Sequence, residues 1–205
     1  MSKKRPFVLG LTGSIGMGKS TTAGFFVELG IPVWDADSAV HRLYANGGAA
    51  VTKIAQVHPS AIVDGGVDRG VLREWIATDD TAIKKLEAVV HPLVAQDRQA
   101  FIAKAQNDGA DLVVVDVPLL FETGGDAYVD ATLVVSAPAE VQKARVLARD
   151  NMNAALFEKI LASQMPDKDK RAKADYVIQT TSISDAKQAV QALLLKLSGK
   201  ADENA

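Results

Sequence analysis

Short apolar runs alternate with longer amphipathic stretches along most of this 205-residue chain. The run Leu-Val-Val-Val-Asp-Val is apolar on both faces, which is typical of a strand that is covered by helices on both sides. The predicted strands are Phe7–Thr12, Pro32–Asp35, Leu112–Val117, Ala131–Ser136 and Tyr176–Gln179. Strands separated by amphipathic segments predict an α/β fold with a five-stranded parallel sheet flanked by helices.

The strands are unevenly spaced along the chain. Roughly 75 residues separate the second strand from the third, which is far more than one crossover helix requires. Apolar residues recur at helical spacing over Ile83–Val94, and we expect Pro92 to kink or break that helix. We therefore predict a helical insert at residues 38–110, and a disordered tail at Ser198–Ala205. The core would then consist of residues 1–37, 111–138 and 174–205.

Composition narrows the class of protein. The net charge of −2 does not favour nucleic acid or anionic membranes as partners, and the absence of cysteine excludes disulfides, thiolate metal sites and a cysteine nucleophile. The apolar run after the basic N-terminus is too short for a signal peptide or a membrane span. We expect a cytoplasmic protein that is a monomer or a small homo-oligomer.

Residues 13–20 match G-x-x-x-x-G-K-[ST], the phosphate-binding loop or P-loop. Its glycines allow backbone N–H groups to approach phosphate oxygens, and Lys19 can reach the β and γ phosphates. The Ser20 hydroxyl can coordinate Mg²⁺, and Thr21 could reach the α phosphate. A glycine-rich turn that binds nothing is the alternative, but the preceding strand and the following amphipathic helix favour ATP or GTP binding. The predicted nucleotide-binding residues are Gly13, Gly16, Met17, Gly18, Lys19, Ser20 and Thr21.

Carboxylates follow two of the predicted strands, at the edge of the sheet where ligands bind in such folds. Asp35 and Asp37 end the second strand and would share a face if the chain were still extended there. Asp37 or Ser38 could instead be the N-cap of a helix over Ala39–Tyr44. Asp116 resembles a Walker B carboxylate that would hold Mg²⁺ directly or through water. Its alternative role is to cap a nearby turn.

Motifs beyond the P-loop make a more specific pattern. In chain order they are VWDAD, VDRGVL, VVHPLV, VVVDVPLLFETG and a Q-M-P…K…A-D-Y-V-I series. With them, the chain from about residue 7 to residue 195 resembles the dephospho-CoA kinases. That family phosphorylates the 3′-hydroxyl of dephospho-CoA with ATP, in the last step of coenzyme A synthesis. The resemblance implies ATP as co-substrate, Mg²⁺, and an insert that binds the acceptor.

The resemblance also implies roles for single residues. Asp37 matches the family's catalytic base, and it would lie at the mouth of the insert, while Asp35 would be structural or linked to the metal. The catalytic residues would be Asp37, Lys19 and Arg149. The acceptor-binding residues would be Asp37, Arg42, Arg69, His91 and Pro92. The metal ligands would be Ser20 and Asp116. Taken alone, His91 fits a hydrogen-bonded histidine of the core as well as a substrate contact.

A basic segment precedes the last strand. Residues 143–173 hold eight basic and four acidic side chains, and the position is that of the lid in small kinases. We predict a lid at residues 139–173, in which Arg149 lies on a helix and neutralises charge that develops during phosphoryl transfer. A solvated helix face is the alternative for most of its lysines.

The chain departs from the family pattern at three places. Met17 replaces a smaller residue of the loop, which we expect to matter little because backbone groups bind the phosphates there. Lys159 stands where the family commonly has arginine, and lysine cannot make the bidentate grip of a guanidinium. Gln179-Thr180 stands shortly after the last strand, where the family commonly has asparagine. A phosphate-binding role of position 159 is therefore doubtful.

Three rival functions are weighed against this interpretation. Another small-molecule P-loop kinase, acting on a nucleoside or nucleotide, would share the insert but not the His-Pro and PLLFE segments. A GTPase switch would need the tetrapeptide N-K-x-D, which the chain lacks. A nucleic-acid-associated ATPase would need a basic patch and aromatic platforms, whereas aromatic residues make up only 5% of the chain.

Overall fold

The structure is a computed structural model that describes the backbone of residues 4–203 and the side chains of residues 4–198. The strands are β1 (Phe7–Thr12), β2 (Val33–Asp35), β3 (Ile62–Val63), β4 (Gly66–Val67), β5 (Leu112–Asp116), β6 (Ala131–Ser136) and β7 (Tyr176–Gln179). The α-helices are α1 (Lys19–Glu28), α2 (Ala36–Tyr44), α3 (Ala49–Val57), α4 (Arg69–Thr78), α5 (Ala82–Asp108), α6 (Ala139–Leu147), α7 (Ala154–Ala162), α8 (Asp167–Lys173) and α9 (Ile183–Glu203).

Five strands form one sheet in the order β2-β5-β1-β6-β7. The β1–β5, β1–β6 and β6–β7 ladders are parallel, so β1 lies in the middle with a parallel neighbour on each side. Val113, Val114 and Val115 are fully buried, as expected for a central strand with both faces covered. The predicted α/β fold with a five-stranded parallel sheet is confirmed, and every predicted strand is present to within one residue.

Packing divides the chain into two compact units. One consists of residues 1–34 and 105–205 and contains the sheet, and the other is Asp35–Lys104. The first has a core in which Phe26 of α1 packs with strand residues and with α9. The second has its own core around Ile54 and Trp75. The predicted roles of residues 38–110 as an acceptor-binding insert and of residues 139–173 as a lid stay predictions.

Helix α5 runs for 27 residues and contains Pro92 in its interior. Pro92 therefore does not break this helix, so of the two expected effects, a kink or a break, the break is wrong. Proline removes only one backbone donor, and buried neighbours on both sides of it, Val90 and Leu93, belong to one hydrophobic cluster. Their packing keeps the helix continuous despite the missing hydrogen bond. Within residues 4–203, no helix is both long and apolar enough to cross a membrane.

Two further expectations about helix ends are wrong. Helix α6 ends at Leu147, so Arg149 lies in the turn that follows and not on the helix. The tail predicted to be disordered from Ser198 is helical as far as Glu203, because α9 continues through it. Residues 204 and 205 lie outside the described part of the chain.

Candidate active site

The P-loop connects the central strand β1 to helix α1. Thr12 ends the strand and Lys19 begins the helix, so the loop consists of residues 13–18. Gly16 has φ of +78° and Gly18 has φ of +84°, in the left-handed region that other residues rarely adopt. Two of the motif's glycines are therefore required by the backbone conformation itself.

The loop is also tightly enclosed by neighbouring elements. A Cβ atom at Gly13 would lie 2.5 Å from Cγ2 of Val135 in β6, and one at Gly16 would lie 2.5 Å from Cγ2 of Val146 in α6. Both distances are shorter than van der Waals contact. Glycine at these positions lets a strand and a helix pack directly on the loop.

Polar side chains from distant parts of the chain hold the loop from outside. The amide of Gln142 donates to the carbonyl oxygen of Ile15 at 2.7 Å, and the backbone N–H of Ile15 donates to Oε1 of Gln164 at 3.1 Å. The hydroxyl of Thr180 donates to the carbonyl oxygen of Met17 at 2.8 Å. None of the three was singled out for this contact by the sequence, because local sequence patterns contain no signal for it.

Lys19 and Asp116 form the central charged pair of the site. The ammonium of Lys19 lies 2.5 Å from Oδ1 of Asp116, and the two side chains are 14% and 4% exposed. Asp116 is the last residue of β5, which neighbours β1 in the sheet, so the pairing of strands brings the two groups together. Ser20 and Thr21, in the first turn of α1, are exposed.

The donor set here fits Mg²⁺, a hard cation that prefers oxygen ligands. Asp116 supplies a carboxylate and Ser20 a hydroxyl. Among the described residues there is no group of three or more histidine, aspartate or glutamate side chains that could hold a metal by themselves. An ion at this site would therefore take its remaining ligands from phosphate oxygens and water, as Mg²⁺ commonly does in nucleotide sites.

Asp35 and Asp37 have different local roles. Asp35 ends β2, and its carboxylate accepts a hydrogen bond from the backbone N–H of Ser38 at 2.6 Å, so Asp35 is the N-cap of α2. The expectations that Asp37 or Ser38 caps this helix and that the two carboxylates share the face of an extended chain are both wrong. Because the helix begins at Ala36, Asp37 lies in its first turn and is exposed.

A buried ion pair holds the base of the segment predicted to be a lid. The side chain of Lys170 is fully buried, and its ammonium lies 2.9 Å from Oε1 of Glu122 and 3.1 Å from the carbonyl oxygen of Pro118. The N–H of Met165 also donates to Oε1 of Glu122. Burial raises the pKa of Glu122, but the hydrogen bonds from Lys170 and Met165 outweigh it, so the pKa lies below its ordinary value.

The other residues of that segment are less constrained. Arg149 is exposed in the turn after α6, and Lys159 is exposed in the last turn of α7. The ends of the segment are attached to the core through Gln142, Gln164 and Lys170.

The residues predicted to bind an acceptor are distributed over the unit Asp35–Lys104. Arg42 forms an ion pair with Asp97 at 2.7 Å. His91 and Pro92 are exposed on α5, so His91 is not a histidine of the core. Arg69 is the one member of the predicted acceptor-binding set among the described residues that line the cavity of this unit.

A cavity of about 510 Å³ lies in the same unit and is lined by His41, Tyr44 and Arg69 among others. The guanidinium carbon of Arg69 lies 5.7 Å from the centre of the Tyr44 ring, within cation–π range. Burial raises the pKa of the Tyr44 phenol, and the charge of Arg69 opposes part of that rise. The cavity thus combines a fixed positive charge with an aromatic wall.

A parallel α/β sheet whose central strand leads into a P-loop, with a lysine–aspartate pair beside it, defines the class of P-loop nucleotide-binding proteins. The profile of the dephospho-CoA kinase family matches residues 7–185. The chain belongs to the dephospho-CoA kinase family. The resemblance predicted from the motifs is thereby confirmed, and membership makes the protein a kinase that uses ATP as co-substrate.

Individual relatives agree with this assignment. A dephospho-CoA kinase of Cereibacter sphaeroides is 56% identical over 198 residues, which cover 97% of this chain and 99% of the relative. A solved Thermus thermophilus structure is 36% identical with a TM-score of 0.80, covering 95% of this chain and 99% of that one. A dephospho-CoA kinase structure from Campylobacter jejuni, 24% identical, shares the fold with a TM-score of 0.71 and covers 94% and 98%.

The Lys170–Glu122 pair leads to a prediction about stability. Lys170→Met should lower the free energy of unfolding at pH 7 by about 3 kcal/mol, because it leaves a largely buried carboxylate without its partner. The lowered pKa of Glu122 means that its ionisation stabilises the fold above the ordinary value of 4.5. This contribution is lost as the pH falls through the lowered pKa, so the difference between variant and wild type should shrink below pH 4.5. Urea denaturation of both proteins at several pH values measures this difference in the free energy of unfolding.

Lys168→Met is the matched control, since Lys168 is exposed on the same helix. It should change the free energy of unfolding by less than about 0.5 kcal/mol. Equal effects of the two substitutions would contradict the assignment of Lys170 as a buried anchor.

Proposed function

We propose that this protein transfers the γ-phosphoryl group of ATP to the ribose 3′-hydroxyl of dephospho-CoA, giving coenzyme A and ADP. The observation that carries the proposal is the P-loop with its Lys19–Asp116 pair, in a chain of the dephospho-CoA kinase family. The predicted roles of the loop residues, and of Asp37, Arg149 and the acceptor-binding residues, are part of this proposal.

The phosphate side of the reaction rests on the loop. Its N–H groups and the N-terminal end of α1 would bind the phosphates of ATP, since both present partial positive charge to an anion. Lys19 would neutralise charge on the β and γ phosphates as the bond to the leaving oxygen breaks. Arg149, once the lid segment closes, would add a second positive charge and help to exclude water.

Mg²⁺ would be held by Ser20 and Asp116, together with phosphate oxygens. When bound, it would offset negative charge on the β and γ phosphates. Asp116, paired with Lys19, would keep the lysine oriented whether or not the metal is present.

Helix α2 and the cavity next to it would bind the acceptor. Asp37, His41 and Tyr44 are four and then three residues apart, so they lie along one face of the helix. His41 and Tyr44 line the 510 Å³ cavity with Arg69. This volume lies in the range of small-molecule sites, and a guanidinium suits the diphosphate of dephospho-CoA. We infer that the acceptor extends from Asp37 along this face.

Asp37 would act as the general base. A ribose hydroxyl is a poor nucleophile until its proton is removed as the bond to phosphorus forms. Asp35 is unsuited to that task, because its carboxylate is engaged in capping α2. Asp37 is exposed and lies one residue into the helix, so its oxygens can reach a ligand. The proposal includes a cytoplasmic location and leaves open a monomer or a small homo-oligomer.

A coupled ADP-release assay tests the acceptor. Dephospho-CoA should support turnover well above that with adenosine, AMP or CMP. Lys19→Ala should remove most of that turnover through kcat, since the lost interaction is with phosphate charge in the transition state.

Circular dichroism of Lys19→Ala provides the folding control, because an alanine in the first turn of α1 is compatible with a helix. Near wild-type turnover by a folded Lys19→Ala protein would rule out the phosphate-binding role. A preference for AMP or CMP would instead make the protein a nucleotide kinase.

Substitution of Asp37 and of the N-cap residue Asp35 tests the assignment of the general base. Asp37→Asn keeps size and polarity but cannot take the proton, so kcat should fall by roughly 10²-fold or more with little change in dephospho-CoA affinity. Asp35→Asn is the control, since asparagine caps helices about as well as aspartate, and its kcat should fall much less. If Asp37→Asn turns over normally and Asp116→Asn is inactive, the general base is Asp116 and not Asp37.

The lid leads to a prediction about Arg149. Arg149→Ala should slow phosphoryl transfer by roughly tenfold or more while weakening dephospho-CoA binding much less, because the charge acts in the transition state. Lys143→Ala removes an exposed charge from α6 and should have a smaller effect on kcat. Hydrogen exchange of residues 140–172 should slow when both substrates are bound. Equal protection with and without ligands would argue against a lid.

A further inference from the structure

Three backbone carbonyl groups of the P-loop, those of Ile15, Met17 and Gly18, accept hydrogen bonds. The carbonyl oxygen of Ile15 accepts from the side-chain amide of Gln142 at 2.7 Å. The carbonyl oxygen of Met17 accepts from the hydroxyl of Thr180 at 2.8 Å. The carbonyl oxygen of Gly18 accepts from the backbone N–H of Thr22 at 3.0 Å, as the start of helix α1 requires.

Each of these contacts determines the direction of the next backbone N–H group. In a trans peptide the C=O of one residue and the N–H of the following residue point in opposite directions, and the unit is planar. No peptide bond of the described residues is cis. Holding the Ile15 carbonyl outward therefore turns the N–H of Gly16 inward. By the same geometry, the Thr180 contact turns the N–H of Gly18 inward.

Within the loop, the N–H of Met17 donates to the carbonyl oxygen of Ser14 at 3.1 Å, but this bond holds neither the Ile15 nor the Met17 carbonyl. Gly16 and Gly18 have no side chain to restrict their rotation, and glycine populates positive and negative φ about equally. The third carbonyl is held by an ordinary helical hydrogen bond, whereas the first two have no helical partner. External donors are thus needed at these two positions, and the chain supplies one from α6 and one from the segment after β7.

The surroundings of Thr180 leave its hydroxyl hydrogen available for this contact. Thr180 is 5% exposed and Gln142 is 6% exposed, so both donors are sheltered from water. Arg145 donates to Oγ1 of Thr180 at 3.3 Å, which makes that oxygen an acceptor from the guanidinium. The hydroxyl then donates to Met17 at 2.8 Å in preference to the carbonyl of Ser136 at 3.2 Å.

We propose that Gln142 and Thr180 are positioning residues for phosphate binding, which hold two P-loop carbonyls outward so that the N–H groups of Gly16 and Gly18 face the phosphates before ATP arrives. Preorganised donors of this kind need no rearrangement when charge develops on them. The inference rests on the proposed phosphate-binding function of the loop and is independent of the identity of the acceptor.

Calorimetric titration with ADP and with tripolyphosphate tests the proposal, because tripolyphosphate carries phosphate groups without a base or ribose. Thr180→Val removes the hydroxyl at nearly constant volume and should weaken both ligands by the same factor, at least about tenfold. Thr180→Ser restores the donor and should recover most of the affinity for both. Thr181→Val removes an exposed hydroxyl next to it and should bind like the wild type.

Gln142→Met provides a second, independent variant, which removes the other donor and should also weaken both ligands equally. If thermal melting shows that Thr180→Val is unfolded, the affinities of Gln142→Met decide whether the proposal holds. Unchanged affinities in the folded variants would overturn the inference, as would a loss confined to ADP, since that would indicate an effect on the base or ribose. Failure of the wild type to bind either ligand would instead overturn the phosphate-binding function itself.

Discussion

The close approach of strand β6 and helix α6 to the P-loop is the constraint on which the rest of the site depends. At Gly13 and Gly16, strand β6 and helix α6 come nearer to the loop backbone than any side chain would permit. This contact closes the loop from outside and leaves its other side for a ligand. It also ties the position of α6, and with it the start of the predicted lid, to the position of the phosphates. A larger residue in the loop would separate all of these parts at once.

Two lysines with complementary tasks form ion pairs with carboxylates at the end of β5 and in the loop after it. Lys19 pairs with Asp116 at the end of the strand and keeps 14% of its side chain exposed, so a phosphate can reach it. Lys170 is fully buried against Glu122 and the Pro118 carbonyl and has no such access. A buried ammonium is costly unless it is paired and hydrogen-bonded. The Lys19–Asp116 pair is therefore suited to interaction with a phosphate. The Lys170–Glu122 pair is suited to anchoring the chain that leads from the predicted lid back to the sheet.

The carboxylates near the end of β2 show how one helix boundary separates two roles. Because Asp35 caps α2, its oxygens are engaged with the first turn of the helix. Asp37 is then turned away from the strand direction and exposed. The chemistry proposed for Asp37 thus depends on a local capping contact.

The amino-acid sequence by itself determined the strands, the α/β class, the P-loop and the family, because each is encoded in neighbouring residues. Apolar runs and the spacing of Gly13, Gly18 and Lys19 need no knowledge of distant contacts. Other features were decided only by the tertiary structure. Helix α5 continues through Pro92 because packing outweighs one missing hydrogen bond. Gln142 and Thr180 meet the P-loop across 127 and 163 residues of chain. Such contacts arise from the order of strands in the sheet, and no local pattern of residues records that order.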